Sequence, residues 1–343
     1  MPASEPAARP AKRPTLKDVA AETGLSVTAV SYALRGLHGK ESTRRRVVEA
    51  AARLGYEADP IARALASGST GVTGVLCGSL TDLWQQRLAA ALARALFADG
   101  VNALIVDAAG DPSHQLELAE RVVQQRVDAL VVIPLDPLTA GWEPIGDRVP
   151  LITVGDELAA ARTTSAVLFD VGLAVTHALD TLSQHGHRRV SVLAAEMSSR
   201  RRRPIEVAAA KLARARGLTL TVTPCPHELD GAREVVAALL GGADPPTAVL
   251  GLADSMAYGA YAAARELALD IPSDLSVIGF DDHPMSALLT PALSSYRWPL
   301  ESIIEAIMQR VSLTVSGAAS VDDVLLAPEP FARGSVGTAP SDR

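Results

Sequence analysis

The chain has 343 residues, of which 48% are hydrophobic, 21% charged and only 3% aromatic, a composition typical of a folded protein of two or more domains. No apolar run is long enough to predict a membrane span, and the first residues lack the apolar stretch of a secretory signal. The two cysteines, Cys77 and Cys225, are too few for a disulfide framework or a tetrahedral zinc site. We therefore expect a cytoplasmic protein without a membrane partner, and nothing in the sequence indicates a cofactor.

The charge is unevenly distributed along the chain. Residues 1–70 contain 11 Lys and Arg against 7 Asp and Glu, whereas the remaining chain contains 21 against 32. A basic segment attached to an acidic protein favours nucleic-acid binding by that segment. Chance surface composition would give the same division, so the charge alone does not decide the function.

Two short helices are predicted close to the N-terminus. Thr15 followed by Asp18 indicates a start that is similar to a capping box. Gly24 is suited to end this helix, because glycine takes a positive φ without steric cost. Ser26 is suited to cap the second helix, which the apolar spacing places over 27–34.

A third helix is predicted to begin after a cap at Ser42 or Thr43 and to end at Gly55. The apolar positions expected to face a shared core are Leu16, Val19, Ala20, Val30, Leu34, Val47, Val48, Ala51 and Leu54. Two helices joined by a tight glycine turn and followed by a third are typical of a helix-turn-helix domain. Any small three-helix bundle would show the same pattern.

The residues of this region are more specific than the pattern. Residues 15–36, TLKDVAAETGLSVTAVSYALRG, resemble the DNA-binding headpiece of the LacI/GalR (lactose-repressor) family. The similarity continues through TRRRV at 43–47 and LGY at 54–56, and DPIARALASG at 59–68 resembles the hinge helix of that family. The resemblance extends over nearly the whole chain.

The resemblance implies which side chains contact bases. In this family the second helix enters the major groove, so Val27, Thr28 and Tyr32 are the expected base contacts. Thr28 can hydrogen-bond to a base edge, whereas Val27 can make only apolar contacts, for example with a thymine methyl group.

Contacts to the DNA backbone are expected from residues around that helix. Ser26, Ser31 and the run Arg44–Arg46 are placed for phosphates, which orient a domain without reading sequence. The alternative for Ser26 is helix capping alone, and the alternative for the arginines is a solvated surface.

The hinge is expected to act in the minor groove. Leu65 lies where the family has a leucine that, from each of two subunits, inserts into the groove and kinks the duplex. Arg63 can face a phosphate or the partner subunit. The implied partner is double-stranded operator DNA with an imperfectly palindromic site. The alternative is that Leu65 packs on its own domain.

Beyond the hinge, short apolar strands alternate with helices, which indicates parallel α/β structure. Strands are expected near 72–76, 101–106, 128–133, 151–154, 166–169, 190–194, 218–222, 247–251 and 276–280. The glycine-rich stretch 68–74 precedes a strand, whereas a dinucleotide-binding loop follows one, so it is interpreted as a linker.

The predicted fold class is an N-terminal all-α helix-turn-helix headpiece followed by an α/β effector domain of two doubly wound parallel-sheet lobes. The resemblance makes these lobes similar to a periplasmic binding protein. The expected organisation is a tail at 1–14, a headpiece at 15–58, a hinge helix and linker at 59–71, an effector-binding and dimerisation domain at 72–337, and a tail at 338–343. The first lobe is expected over about 72–165 and 297–320, and the second over about 166–296 and 321–337. Within these ranges, a helix at 300–315 is expected to cross back to the first lobe, and a strand at 324–327 to return to the second.

Several motifs of the two lobes match family landmarks. They are DALVVI at 128–133, GHRRV at 186–190, IPSDLSVIGFDD at 271–282, LSSY at 293–296 and RGS at 333–335.

Ligands of doubly wound sheets bind beyond the carboxyl ends of the strands, here in the cleft between the lobes. The resemblance implies a small-molecule effector, expected to be a sugar, with Asp254 as acceptor and Arg203 as donor. Asp282 is expected at the cleft, and Trp84 and Trp298 are candidates for aromatic faces against a sugar ring.

The alternatives for these residues are structural. Asp254 can cap the helix that begins near Ser255, and tryptophans pack more often than they bind. The family pattern is also altered here, since Ala253 replaces a usual asparagine and the run Arg200–Arg203 leaves the register of Arg203 open. These departures leave the identity of the effector undetermined.

Two other classes of function compete with a regulator. A secreted sugar-binding protein would share the lobes but lack the headpiece, and an acidic hydrolase would need a catalytic motif that the sequence does not show. His185 and His187 could form a metal pair, but further ligands at metal spacing are missing. The sequence predicts a homodimer, or a higher oligomer, that regulates transcription as an effector-controlled repressor and is not an enzyme.

Overall fold

The computed structural model describes residues 14–34, 40–56, 69–158, 161, 165–195, 204–317 and 321–340, with the backbone alone for 204–208. The chain divides into two compact units, Met1–Thr70 and Gly71–Arg343.

The first unit contains three helices, α1 (Leu16–Thr23), α2 (Val27–Leu34) and α3 (Glu41–Leu54). The predicted start of α1 is confirmed, because the Asp18 carboxylate accepts both the Thr15 backbone N–H at 2.7 Å and its hydroxyl at 2.8 Å. The predicted glycine stops are confirmed as well, since the residues that follow α1 and α3 have φ of 68° and 65°.

Three details of this unit differ from the sequence prediction. α3 begins at Glu41 with Lys40 at the N-cap, rather than after Ser42 or Thr43, and the acidic side chain in its first turn suits the positive end of the helix dipole. Val48 is 48% exposed, because the buried stripe of α3 follows Val47, Ala50 and Ala51. In α2 it is Ala33, rather than Leu34, that is fully buried beside Val30.

The second unit is built from two parallel sheets. The elements of its first part are β1 (Val72–Cys77), α4 (Leu83–Ala98), β2 (Asn102–Asp107), α5 (Pro112–Gln124), β3 (Ala129–Val132), α6 (Glu143–Gly146), β4 (Leu151–Gly155), β5 (Ser165–Phe169) and α7 (Val171–Gln184). Those of its second part are β6 (Arg189–Ala194), α8 (Pro204–Ala215), β7 (Thr219–Pro224), α9 (Leu229–Leu240), β8 (Ala248–Gly251), α10 (Asp254–Glu266), β9 (Ser276–Ile278), a 3₁₀ helix (Pro284–Ala287), β10 (Ser295–Arg297), α11 (Leu300–Val315), β11 (Val324–Leu326) and β12 (Glu329–Phe331).

The first sheet has the strand order β2-β1-β3-β4-β5-β11, and the second has the order β7-β6-β8-β9. All neighbours within these sheets run parallel, and helices follow most of the strands. The predicted fold of two doubly wound lobes is therefore confirmed. β10 and β12 form a separate antiparallel ribbon.

Two strands lie in a different lobe from the one that the sequence order indicated. β5 and β11 both belong to the first sheet, where Leu168 is in register with Leu325, although residues 166–169 and 324–327 were expected in the second lobe. The buried Arg310 of α11 explains this placement, because it donates to the Ser165 hydroxyl at 2.7 Å and to the Asp322 carbonyl at 2.5 Å. α11 therefore holds β11 against β5.

The largest apolar cluster of the described residues extends across both lobes and is formed mainly by aliphatic side chains and alanines. Each lobe has a second, smaller cluster of its own. Within the described residues, no helix combines the length and apolar character needed to cross a bilayer.

Candidate functional sites in the headpiece and in the inter-lobe cleft

One face of α2 is open to solvent. Val27 and Tyr32 are 41% and 42% exposed, and Thr28 is exposed with them. The spacing of 27, 28, 31 and 32 places Ser31 on the same helix face. The opposite face buries Val30 in the core of the headpiece. α2 can therefore present its predicted base contacts without unfolding the domain.

The predicted phosphate contacts Ser26 and Arg44–Arg46 are also open to solvent. The Ser26 hydroxyl accepts the Ala29 backbone N–H at 3.1 Å, so this serine caps α2 and stays available at an exposed position. Arg44, Arg45 and Arg46 are all exposed at the beginning of α3. The hinge residues Arg63 and Leu65 lie outside the described residues, and their roles stay predictions.

A cavity of about 480 Å³ lies between the two lobes. In the first lobe its walls follow the ends of β1, β3, β4 and β5, and in the second lobe they follow the ends of β6, β7, β8 and β9. This is the position that the crevice rule for parallel sheets predicts for a ligand.

Aromatic side chains form one wall of this cavity. Trp84 and Trp298, both predicted from the sequence, line it together with Phe169 and Phe280. The rings of Phe169 and Trp298 are stacked with centroids 4.6 Å apart, and Trp84 stands edge-on to Phe169 at 5.2 Å. Both tryptophans are over 90% buried, so they pack and line the cavity at once.

Polar groups beside the cavity connect the lobes. His227, after β7, places Nδ1 3.9 Å from the Asp82 carboxylate of the first lobe, and the Thr81 hydroxyl donates to Glu228 at 3.3 Å. Asp82 also caps α4 by accepting the Trp84 N–H at 2.8 Å. The loops after β1 and β7 are thus joined by side chains across the cleft.

The GFDD loop after β9 separates its two acidic side chains. Asp281 lines the cavity, whereas the predicted site residue Asp282 does not. The Asp282 carboxylate instead binds Arg297 at 2.8 Å and Arg333 at 2.5 Å, and the Arg297 guanidinium lies 3.7 Å from the centre of the Phe331 ring. Asp282 therefore fixes the loop to the β10–β12 ribbon.

Asp254 also faces the protein interior rather than the cavity. Its carboxylate accepts the His283 N–H at 2.7 Å, the Ser286 hydroxyl at 2.5 Å and the Ser295 hydroxyl at 2.6 Å. Burial raises the pKa of Asp254 to about 6, although these three donors act in the opposite direction. The capping alternative does not apply, because α10 begins at Asp254 and its N-cap is Ala253.

The space around Asp254 is tightly filled. A Cβ on Gly279 would lie 2.2 Å from Oδ1 of Asp254, so the loop that follows β9 needs glycine at this position. Asp254 thus connects α10, the 3₁₀ helix and β10 within the second lobe. Arg203, the predicted donor to the effector, lies outside the described residues.

Sequence reasoning missed most of the cavity lining, including the aromatic and ionisable residues Phe169, His227, Phe280 and Asp281. All four stand at or just after the carboxyl end of a parallel strand. The signal in the sequence is an aromatic or ionisable residue at or just after the end of a predicted strand.

The ring of His187 is buried and is held by hydrogen bonds within the second lobe. Nδ1 lies 2.9 Å from the Thr247 hydroxyl, and Nε2 lies 3.0 Å from the Ser276 hydroxyl. Among the described residues no group of three or more His, Cys, Asp or Glu is arranged to hold a metal ion. Burial also raises the pKa of Cys77 to about 12 and that of Cys225 to about 11, which keeps both thiols protonated and unreactive.

Known proteins resemble this chain over most of its length. Residues 179–336 match the family described as periplasmic binding protein-like domain. The HTH-type transcriptional regulator MalR of Streptomyces coelicolor is 30% identical over 346 residues, which span 96% of this chain and 98% of that protein. Catabolite control protein A of Priestia megaterium is 26% identical over 298 residues, which span 84% of this chain and 89% of that protein.

The fold is shared with solved structures. The lac repressor dimer bound to operator and the anti-inducer ONPF aligns with a TM-score of 0.82 at 21% identity, and the alignment covers 95% of this chain and 100% of that one. A LacI-family regulator from Enterococcus faecium with bound ribose aligns with a TM-score of 0.66 at 18% identity, covering 78% of this chain and 99% of that one.

A helix-turn-helix headpiece followed by two periplasmic-binding-protein-like lobes defines a DNA-binding transcriptional regulator. The chain belongs to the LacI/GalR family of these regulators. The relatives named above are regulators and not enzymes.

Proposed function

We propose that this protein is a homodimeric repressor whose affinity for operator DNA is controlled by a small, hydroxyl-rich effector in the inter-lobe cleft, and that it is not an enzyme. The observation that supports this most directly is the aromatic-walled cavity beyond the strand ends. Its volume suits a monosaccharide-sized ligand, and the related Enterococcus faecium regulator contains ribose. Because its partner is chromosomal DNA, we place the protein in the cytoplasm.

The mechanism follows from linkage. Ligand and operator favour different arrangements of the lobes, so each changes the affinity of the other by one shared coupling free energy, typically about 1–3 kcal/mol. The contacts Thr81–Glu228 and Asp82–His227 join the lobes beside the cavity. Separation of the lobes would break both contacts, so they favour the closed arrangement that surrounds a ligand.

DNA binding is assigned to the exposed face of α2. Val27, Thr28 and Tyr32 contact bases, Ser26, Ser31 and Arg44 contact phosphates, and Arg63 and Leu65 act at the hinge. Two copies related by a two-fold axis match a palindromic operator, and the related lac repressor is a dimer on its operator.

An apolar surface of the first lobe supports the dimer. β2 is an edge strand of the first sheet, Ile105 on this strand is 37% exposed, and Phe97 at the end of α4 is 75% exposed. A second copy of the chain would remove these side chains from water.

The decisive experiment measures operator binding by the full-length protein. A binding site is selected from random duplex DNA and its affinity is followed by fluorescence anisotropy while a panel of sugars is added. We expect a palindromic site and at least one sugar that shifts its affinity five-fold or more. A protein without sequence-specific DNA affinity, or one that turns over a sugar, would contradict the proposal.

The dimer has its own measurement. Sedimentation equilibrium should give twice the mass of the chain for the wild type and a lower association constant for Phe97→Glu. A wild type that sediments as a monomer at micromolar concentration would contradict a homodimer.

A further inference from the structure

We propose that the effector of the inter-lobe cleft has a positively charged group, such as an ammonium, which is held between the aromatic wall and the carboxylate of Asp281. This inference rests on the proposed effector function of the cleft and names the charge class of its ligand. An amino sugar combines such a group with the hydroxyls expected of the effector.

The first observation is the concentration of aromatic rings. The chain has only three Trp and four Phe, and two of each line this one cavity. The planes of Phe169 and Trp298 differ by 23°, whereas the Trp84 ring stands at 89° to Phe169. Two nearly perpendicular ring orientations therefore meet at one wall. Aromatic faces attract a cation that lies within about 6 Å of the ring centre, and such walls recognise ammonium ligands.

The second observation is the sign of the charge. The described residues that line the cavity include the carboxylates of Asp82, Asp156 and Asp281 but no lysine or arginine, and His227 is their one other ionisable side chain. Ionised carboxylates only accept hydrogen bonds. The described wall therefore suits a ligand rich in donors and opposes an anionic one.

The third observation is the contrast between two adjacent residues. Asp282 is neutralised by Arg297 and Arg333. The polar groups that lower the pKa of Asp281 are the indole N–H of Trp298 and the backbone N–H of Asp254, and both are uncharged.

The surroundings of Asp281 leave its negative charge poorly compensated. Burial and the nearby carboxylates of Asp82 and Asp254 raise the pKa of Asp281 well above its ordinary value. Charge interactions are strong where water is excluded, so a cation at the cavity wall would stabilise the ionised form of Asp281. The described carboxylates of the wall would repel a phosphate at the same place.

The test compares ligands that differ in charge. Glucose, glucosamine and glucose 6-phosphate, and the three corresponding galactose compounds, are titrated against the full-length protein by calorimetry at pH 7 and constant ionic strength. Tetramethylammonium and the uncharged tert-butanol form a second matched pair. This pair tests the effect of charge in ligands that have no sugar ring. We expect each ammonium compound to bind at least ten-fold more tightly than its uncharged partner, and the phosphates to bind most weakly.

Two variants test whether the preference for ammonium compounds depends on Asp281 and on the aromatic wall. Asp281→Asn removes the charge with little change of shape and should reduce the ammonium preference to less than two-fold. Phe169→Leu removes a ring face while an apolar side chain remains, and it should weaken ammonium binding more than glucose binding. Asp147→Asn, an exposed position outside the cavity lining, is the control and should behave as the wild type. If Asp281→Asn fails to fold, Phe169→Leu still tests the wall.

The outcomes separate this inference from the function on which it rests. Equal affinity for charged and uncharged partners, preference for a phosphate, or no binding of any ammonium compound at 10 mM would overturn the inference. An uncharged sugar that shifts operator affinity would at the same time uphold the proposed function. A protein that fails to bind operator would overturn the proposed function whatever the ligand titrations show.

Discussion

Asp281 and Asp282 are consecutive residues whose carboxylates lie in opposite environments. Both have positive φ, 97° and 44°, and this backbone directs Asp281 to the cavity and Asp282 to two arginines of the β10–β12 ribbon. A ligand contact at Asp281 is therefore mechanically connected, through its neighbour, to the chain segments that cross between the lobes.

The first prediction concerns the ion cluster of Asp282. Asp282→Ala leaves Arg333 without its carboxylate in a largely buried position, and removing one partner of a buried pair costs about 3–5 kcal/mol. We expect the free energy of unfolding to fall by about 3 kcal/mol, because Arg297 is half exposed and is partly rehydrated. Urea denaturation measures this, and Asp147→Ala is the exposed control. A loss below about 1 kcal/mol, the range of surface pairs, would contradict the structural role.

The second prediction concerns Asp254. Asp254→Ala removes the acceptor of three donors, each of which costs about 1–3 kcal/mol when buried without a partner. We expect at least about 3 kcal/mol of destabilisation by urea denaturation, so this variant is unsuitable as a specific test of effector binding.

The raised pKa of Asp254 is tested by the pH dependence of the free energy of unfolding. Its pKa in the folded protein is about 6, against an ordinary value of 3.8, so the folded state binds more protons between these values and its stability falls as the pH rises through them. Asp254→Asn cannot titrate. We therefore expect the stability of the Asn variant relative to the wild type to increase from pH 4 to pH 6.5. A constant difference over this interval would contradict the raised pKa.

The third prediction concerns His187. Burial lowers its pKa below the ordinary value of 6.5, so the unfolded chain binds more protons and the stabilising effect of the neutral ring is lost as the pH falls below 6.5. His187→Gln keeps hydrogen-bonding capacity without titration, and we expect a smaller drop in stability between pH 7.5 and pH 5 than in the wild type. His114→Gln, at a more exposed position, should retain the drop of the wild type.

The fourth prediction distinguishes base contacts from phosphate contacts. Thr28→Ala should cost about 1–3 kcal/mol on the selected operator and change the preferred base at one position of each half-site. Arg44→Ala should weaken binding to all sequences alike and reduce the slope of log affinity against log salt by about 1 for each subunit. Anisotropy titrations from 50 to 200 mM salt measure both effects. A changed base preference for Arg44→Ala together with a reduced salt slope for Thr28→Ala would contradict the assignment of the two contacts.

The fifth prediction concerns the hinge. Leu65→Ala should lower operator affinity several-fold to hundreds-fold, because only an inserted side chain offsets the unstacking of the central step, which costs a few kcal/mol. The ligand affinity of the cleft should not change, since the two lobes do not need the Leu65 side chain in order to fold. Unchanged operator affinity would contradict the hinge assignment.

Local chemistry predicted much of this fold. The cap of α1 and the glycine stops of α1 and α3 depend on neighbouring residues, and the strands of both lobes are short apolar runs between residues that break regular structure. The predicted lobe of β11 was wrong. The position of this strand depends on Arg310, Ser165 and Asp322, which are distant in sequence and meet only in the folded chain.

The candidate site was less accessible from sequence. Trp84 and Trp298 were predicted, because the resemblance to the family places Trp84 near an aromatic position of the first lobe and Trp298 near the hinge strand. The opposite environments of the Asp281 and Asp282 side chains were not predicted, because they follow from positive φ at two non-glycine residues. No local pattern predicts that conformation for aspartate.

The placement of the three tryptophans has an optical consequence. Trp84 and Trp298 are in the cleft wall, whereas Trp142 is 1% exposed in the separate core of the first lobe, among Ile145 and Leu158. Two of the three tryptophans therefore sense the polarity of the cleft, and the third provides a constant internal reference. Occupancy of the cleft can be followed by the emission of the unlabelled protein while it is bound to DNA, since nucleotides scarcely emit.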